Sequence, residues 1–188
     1  LQVKGLSFTY SGGYKCLATD QAIKSIDQLK DMTANAQPSP VFTEMFKALG
    51  MNMRSDGRAD KNANLTQTTL PRYHVEASKS QKHVVDTQHS MYLTTILMND
   101  NMWNDLSVSD QMHFSEAAKI CARAERAKSV SDAEEIKTDA GKQAERGIET
   151  IGDLSPAEAD KLKAKLTPVT DKFAKYFGNN LVDRIRKA

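Results

Sequence analysis

The chain has 188 residues, of which 39% are hydrophobic, 27% charged and 6% aromatic, the proportions of a water-soluble globular protein with a modest core. That length suits one domain, able to bury roughly two thirds of the surface its unfolded chain would expose. Lys and Arg number 26 against 24 Asp and Glu, a net charge of +2, too balanced to point to nucleic acid or an anionic membrane surface as partner.

Gly5 to Tyr10 alternates Leu6, Phe8 and Tyr10 against Ser7 and Thr9, a half-buried strand pattern that Ser11-Gly12-Gly13 is expected to stop. Tyr14 to Ala18 is read as a second strand. Ser25 followed three residues later by Gln28 is a capping box at the start of a short helix, because hydroxyl and amide each satisfy an orphan backbone N–H. Met32 to Gln37 is read as a strand. Ser39 and Pro40 then sit at the N-cap and first position of a helix that Gly50 closes, and Val41, Phe42, Met45, Phe46 and Leu49 share one of its faces.

From Met51 to Ser90 few apolar residues occur and no period is sustained, so mostly loop with short helical pieces is expected. Met91 to Met98, MYLTTILM, is an apolar run with the length of a buried strand. Ser107 with Asp110 opens a long helix with a stripe of Phe114, Ala117, Ala118, Cys121 and Ala124. Arg123, Glu125, Arg126, Lys128, Glu134, Glu135 and Lys137 are read as its solvated outer face, with a break near Ser129 to Ser131. Ile148 to Leu154 reads as a connector. Ser155-Pro156-Ala157-Glu158 is a second capping box, before a helix whose Leu162, Leu166, Val169, Phe173 and Phe177 face one way. Pro168 within it removes a hydrogen bond, at about 3 kcal/mol in an isolated helix. Gly178 closes it, and Leu181, Val182 and Ile185 begin a final helix.

No apolar run approaches the roughly twenty residues of a membrane span. The first residues lack the charged and apolar regions of a signal peptide. They begin without Met inside a strand pattern, so a processed or partial chain is expected. Cys16 and Cys121 cannot form a metal cage by themselves and are not read as a bridge. His74, His83, His89 and His113 show no metal-ligand spacing, and the nine glycines form no phosphate-binding loop. With no nucleophile beside a base and no paired carboxylates at a working spacing, the sequence does not read as an enzyme, and it implies no cofactor.

Several stretches together carry a resemblance. IKSIDQLK, an extended segment and PSPVFTEMFKALG are similar in order and spacing to the second lobe of the DctP family, the periplasmic solute-binding proteins of TRAP transporters. The apolar strand before NDNMWNDLS matches the family's strand, N-K-x-F/W-W-x-S-L-S and long helix. PVTDKFAKYFGNNLVDRI is close to its P-V-x-D-K-F-A and G-x-x-L-V-D. GGYKCLAT is a weakened G-F-R-x-F-T-N, and RADKNANLTQT resembles a D-G-x-E-N-P turn, with Asp60 and Asn64 at the acid and the asparagine. The family's strand and helix before that turn, and its N-terminal lobe, have no counterpart in the sequence.

The resemblance implies an α/β fold, a periplasmic-binding-protein-like lobe with a hinge strand and long C-terminal helices, dividing into residues 1–106 as ligand-binding lobe and 107–188 as helices packed on it. It implies capture of a small organic acid in the periplasm for the membrane subunits of a TRAP transporter, with no nucleic acid and no membrane insertion. The alternative is a truncated or degenerate receptor that acts as a protein-interaction module without ligand.

The site residues implied are Lys15, Asn35 and Asn64. Lys15 stands where the family carries an arginine that reaches the ligand. Asn35 stands at the arginine of L-K-I-R-V, which makes the family's principal salt bridge to carboxylate. Replacing that bidentate pair by an amide removes on the order of 2 to 5 kcal/mol of binding, and lysine supplies charge without the guanidinium fork.

Overall fold

A computed structural model describes residues 2–53, 62–178 and 180–187; Asp60 lies outside them. In chain order the elements are strands β1 (Val3–Tyr14) and β2 (Cys16–Thr19), a 3-10 turn (Ile26–Leu29), β3 (Thr33–Asn35), helix α1 (Pro40–Ala48), β4 (Asn52–Met53) and β5 (Leu65–Thr68). A second 3-10 turn (Leu70–Arg72), α2 (Tyr73–Glu76), β6 (His83–Asp86), β7 (Met91–Asn99), α3 (Asp100–Asp105), α4 (Val108–Thr138), α5 (Ala140–Glu145), β8 (Thr150–Asp153), α6 (Pro156–Ala174) and α7 (Leu181–Lys187) follow. This is the mixed α/β fold that the sequence implies.

The chain packs as two compact units, the first made of residues 1–15, 69–75 and 88–146 and the second of residues 16–68, 76–87 and 147–188. In the first, β1 and β7 form an antiparallel two-stranded ribbon. Ser11-Gly12-Gly13 does not stop β1; the register shifts there instead and the strand runs on to Tyr14. Gly12 adopts φ +86°, and a Cβ on it would fall 2.3 Å from the Thr69 hydroxyl, so both the backbone and the close approach require glycine. The apolar run of β7 is half exposed rather than buried, because β1 is its only partner strand among the described residues.

Helix α4 starts as its residues dictate, with the Ser107 hydroxyl accepting from the Asp110 amide at 3.1 Å. It continues past Ser129 to Asp139, whose carboxylate caps α5. Its buried face is Ala118, Ala122, Ser129 and Ile136, so the stripe through Phe114, Cys121 and Ala124 points outward. Shape and hydrogen bonding decide this face: β1 lies so close that small residues are needed, and its edge groups need polar partners. Glu125 accepts from the Tyr10 amide at 2.7 Å, Arg126 donates to the Phe8 carbonyl at 2.5 Å and the Gly12 amide donates to the Ser129 hydroxyl at 3.3 Å. Glu125 and Arg126 thus fasten β1 instead of coating a solvated face.

The second unit holds a six-stranded sheet in the order β4-β3-β5-β2-β6-β8, in which β2 alone runs antiparallel to its neighbours. Three of its strands, β4, β5 and β6, come from the stretch expected to be mostly loop, and β8 from the expected connector. One face carries the core: Leu17, Ala34, Leu65 and Val85 pack with Ile26, Leu29, Met45, Phe46 and Leu49, and with Leu162 of α6. The capping box at Ser25 is present on both sides, and Gly50 adopts φ +74° after α1. Ser39 precedes α1 with Pro40 at the first helical position, although its hydroxyl caps no amide.

Candidate functional site

Lys15 belongs to the first unit, at the end of β1, where its amide donates to the Ser90 carbonyl at 2.8 Å. The residue is only 4% exposed, and its ammonium lies 4.6 Å from the centre of the Tyr92 ring at the start of β7. The Arg72 guanidinium lies over the same ring at 5.6 Å and donates to the Ser11 hydroxyl at 3.4 Å. The face of an aromatic ring attracts cations, more strongly where water is excluded. Burial, and then the charge of Lys15, push the His89 imidazole down to about 3, so it is neutral near neutral pH.

Asn35 and Asn64 belong to the second unit. Asn35 ends β3, where the chain leaves the sheet toward Ser39 and α1, and it is half-buried. Ligands of open α/β sheets gather at such carboxyl ends of strands. Asn64 has a different setting. Its side-chain oxygen accepts from the Thr33 amide at 2.8 Å and its carbonyl accepts from the Asp20 amide at 3.1 Å, so it ties the entry ends of β3 and β5 together. Parallel pairing puts Thr66, not Asn64, opposite Asn35.

Thr66 is buried, and its hydroxyl has no hydrogen-bond partner among the described residues. Next along β5, the Thr68 hydroxyl donates to the Glu76 carboxylate at 2.6 Å. Thr66, Arg72 and Tyr92 are absent from the sequence reading. A threonine in a strand carries no signal until its register is known, and Arg72 and Tyr92 meet only through folding. Among the described residues no three His, Cys, Asp or Glu groups gather to hold a metal ion, and Cys16 and Cys121 are free thiols. Burial, with Asp86 and Glu76 nearby, pushes the Cys16 thiol well above its usual range, which leaves it unreactive.

The sequence matches the bacterial extracellular solute-binding protein family 7, DctP, over residues 1–55 and 68–176. It is 26% identical, over 193 aligned positions, to a solute-binding protein of Verminephrobacter eiseniae (strain EF01-2), with 98% of this chain and 56% of that one covered. The fold is similar to that of a TRAP periplasmic solute-binding protein from Ralstonia eutropha H16 with bound (S)-2-acetolactate, at a TM-score of 0.82, 23% identity and coverage of 97% of this chain and 61% of the other. A Bradyrhizobium protein of the same kind, in complex with α/β-D-galacturonate, gives a TM-score of 0.81 and 23% identity over 100% of this chain and 63% of its own. One from Pseudomonas putida F1 with bound D-glucuronate gives 0.80 and 21%, over 100% and 61%. The chain spans a little over half the length of the curated relative and about three fifths of these structures.

Proposed function

Because the chain belongs to family 7 of the bacterial extracellular solute-binding proteins, the DctP proteins, we propose that it captures a small organic acid in the periplasm for the membrane subunits of a TRAP-type transporter. The family is one of solute receptors, not enzymes. The observation that carries the proposal is Lys15: a lysine with 4% of its surface exposed, held under the Tyr92 ring, offers charge in a desolvated setting where a carboxylate gains most from it. Asn35 contributes hydrogen bonds at the end of β3 without charge. Asn64 serves the same region indirectly, by holding the β3 backbone.

The test is a thermal-shift panel of succinate, D-galacturonate, D-glucuronate and L-gulonate on the 188-residue chain. At least one acid should raise the melting temperature in a concentration-dependent way, as any ligand specific to the folded state does. Absence of a shift with every acid at millimolar concentration would overturn the proposal.

A further inference from the structure

The two outer edges of the β1–β7 ribbon are treated differently. On β1 the Phe8 carbonyl accepts from Arg126 and the Tyr10 amide donates to Glu125, so the backbone groups of Phe8 and Tyr10 point away from β7. In an antiparallel pair, the residues opposite such groups also turn their own N–H and C=O outward. Thr95 lies opposite Phe8 and Leu93 opposite Tyr10, and the two-residue period extends the pattern to Leu97. The backbone groups of Leu93, Thr95 and Leu97 therefore line the edge of β7 remote from β1, which has no partner strand among the described residues.

Side chains of α4 occupy the outward groups of β1, whereas β7 has no such guard. From Met91 to Asn99 it carries no charged residue and no proline, the devices that ordinarily keep an edge strand from pairing with another chain. One face of the ribbon is apolar as well. Leu93 and Leu97 on β7, and Phe8 opposite Thr95 on β1, are each more than half exposed. An open row of backbone groups beside exposed apolar side chains is a template for strand addition.

We propose that β7 pairs antiparallel with β7 of a second copy of this chain, about a twofold axis at Thr95. The strand is self-complementary in that register. Thr95 is the midpoint of its nine residues, so the whole strand overlaps its copy and Leu93 of one copy lies opposite Leu97 of the other. Thr95 meets its own copy, and the outward N–H and C=O groups of all three residues find partners. The contact is isologous and closed, and it makes a sheet in the order β1-β7-β7-β1 whose apolar face Phe8 extends at both ends. A ribbon of two strands gains stability from each strand added to it.

The test is sedimentation velocity of the whole chain from about 1 to about 300 µM. A monomer–dimer equilibrium should appear, with a dissociation constant in the micromolar range. Thr95→Lys sets two ammonium groups face to face at the axis and should weaken association at least about tenfold, with the fold retained by circular dichroism. Val108→Lys, at an exposed apolar side chain of α4, should leave association unchanged. Cross-linking reads the register independently. Thr95→Cys in a Cys121→Ser background should form an intermolecular disulfide on mild oxidation, because directly bonded residues of antiparallel strands have Cα atoms about 5.5 Å apart, within disulfide reach. Val108→Cys in the same background should not. A chain that stays monomeric, that grows into open-ended oligomers, that associates equally well with Thr95→Lys, or that gives no cross-link with Thr95→Cys would overturn the proposal.

Discussion

The Glu158 carboxylate accepts a hydrogen bond from the Ile26 amide at 2.5 Å, and from the Ser25 hydroxyl at 3.0 Å. The first turn of α6 therefore caps a 3-10 turn 132 positions earlier, rather than closing its own capping box. Ser155 accepts from the Glu158 amide at 3.3 Å, but the reciprocal bond is made elsewhere. Glu158→Ala leaves the Ile26 amide without that acceptor and should destabilise the protein by about 1 to 3 kcal/mol. Ser155→Ala, the loss of an ordinary cap, should cost about 1 kcal/mol. Urea denaturation midpoints of the two variants give the comparison.

Ala122 is fully buried on the face of α4 that meets β1, whereas Cys121 beside it is exposed. Enlarging the buried position has no room to succeed. Ala122→Leu should destabilise by about 1 to 3 kcal/mol through overpacking, while Cys121→Leu should stay within about 0.5 kcal/mol. Thermal or chemical denaturation of both reads out which face packs.

His89 makes folding sensitive to acid. Its folded-state value, about 3, lies below the 6.5 of an unperturbed imidazole, so between those values the unfolded chain binds a proton that the folded chain does not. The contribution is fully present above pH 6.5 and is lost progressively as pH falls toward 3, at up to about 1.4 kcal/mol per pH unit. His89→Gln should flatten the slope of stability against pH in that window, as measured by urea midpoints from pH 4 to pH 7.

The stretch from Ile23 to Gly50 is largely legible because the Ser25 capping box, proline at the first helical position and a left-handed glycine are local chemistry, although the Ser39 hydroxyl caps no amide. The strands β5, β6 and β8 were hidden for the opposite reason. Leu65-Thr66-Gln67-Thr68 is polar by composition yet buried throughout, and its place in the sheet comes from pairing with β2 and β3 far away in sequence. In α4 the largest apolar side chains mark the wrong face, since contact with β1 selects for small residues and for Glu125 and Ser129 as partners of its edge. Lys15 and Asn35 are singled out by their motifs alone, before any fold is known. The register that pairs Asn35 with Thr66 and assigns Asn64 to the Thr33 backbone appears only once the sheet is assembled.

The central claim is that this chain captures an organic acid through charge held at Lys15. Calorimetric titration of the native chain and of Lys15→Met with D-galacturonate tests it most directly. The account predicts saturable binding by the native chain and at least about tenfold weaker binding after loss of the ammonium, with the fold retained by circular dichroism. Affinity unchanged in Lys15→Met would contradict it.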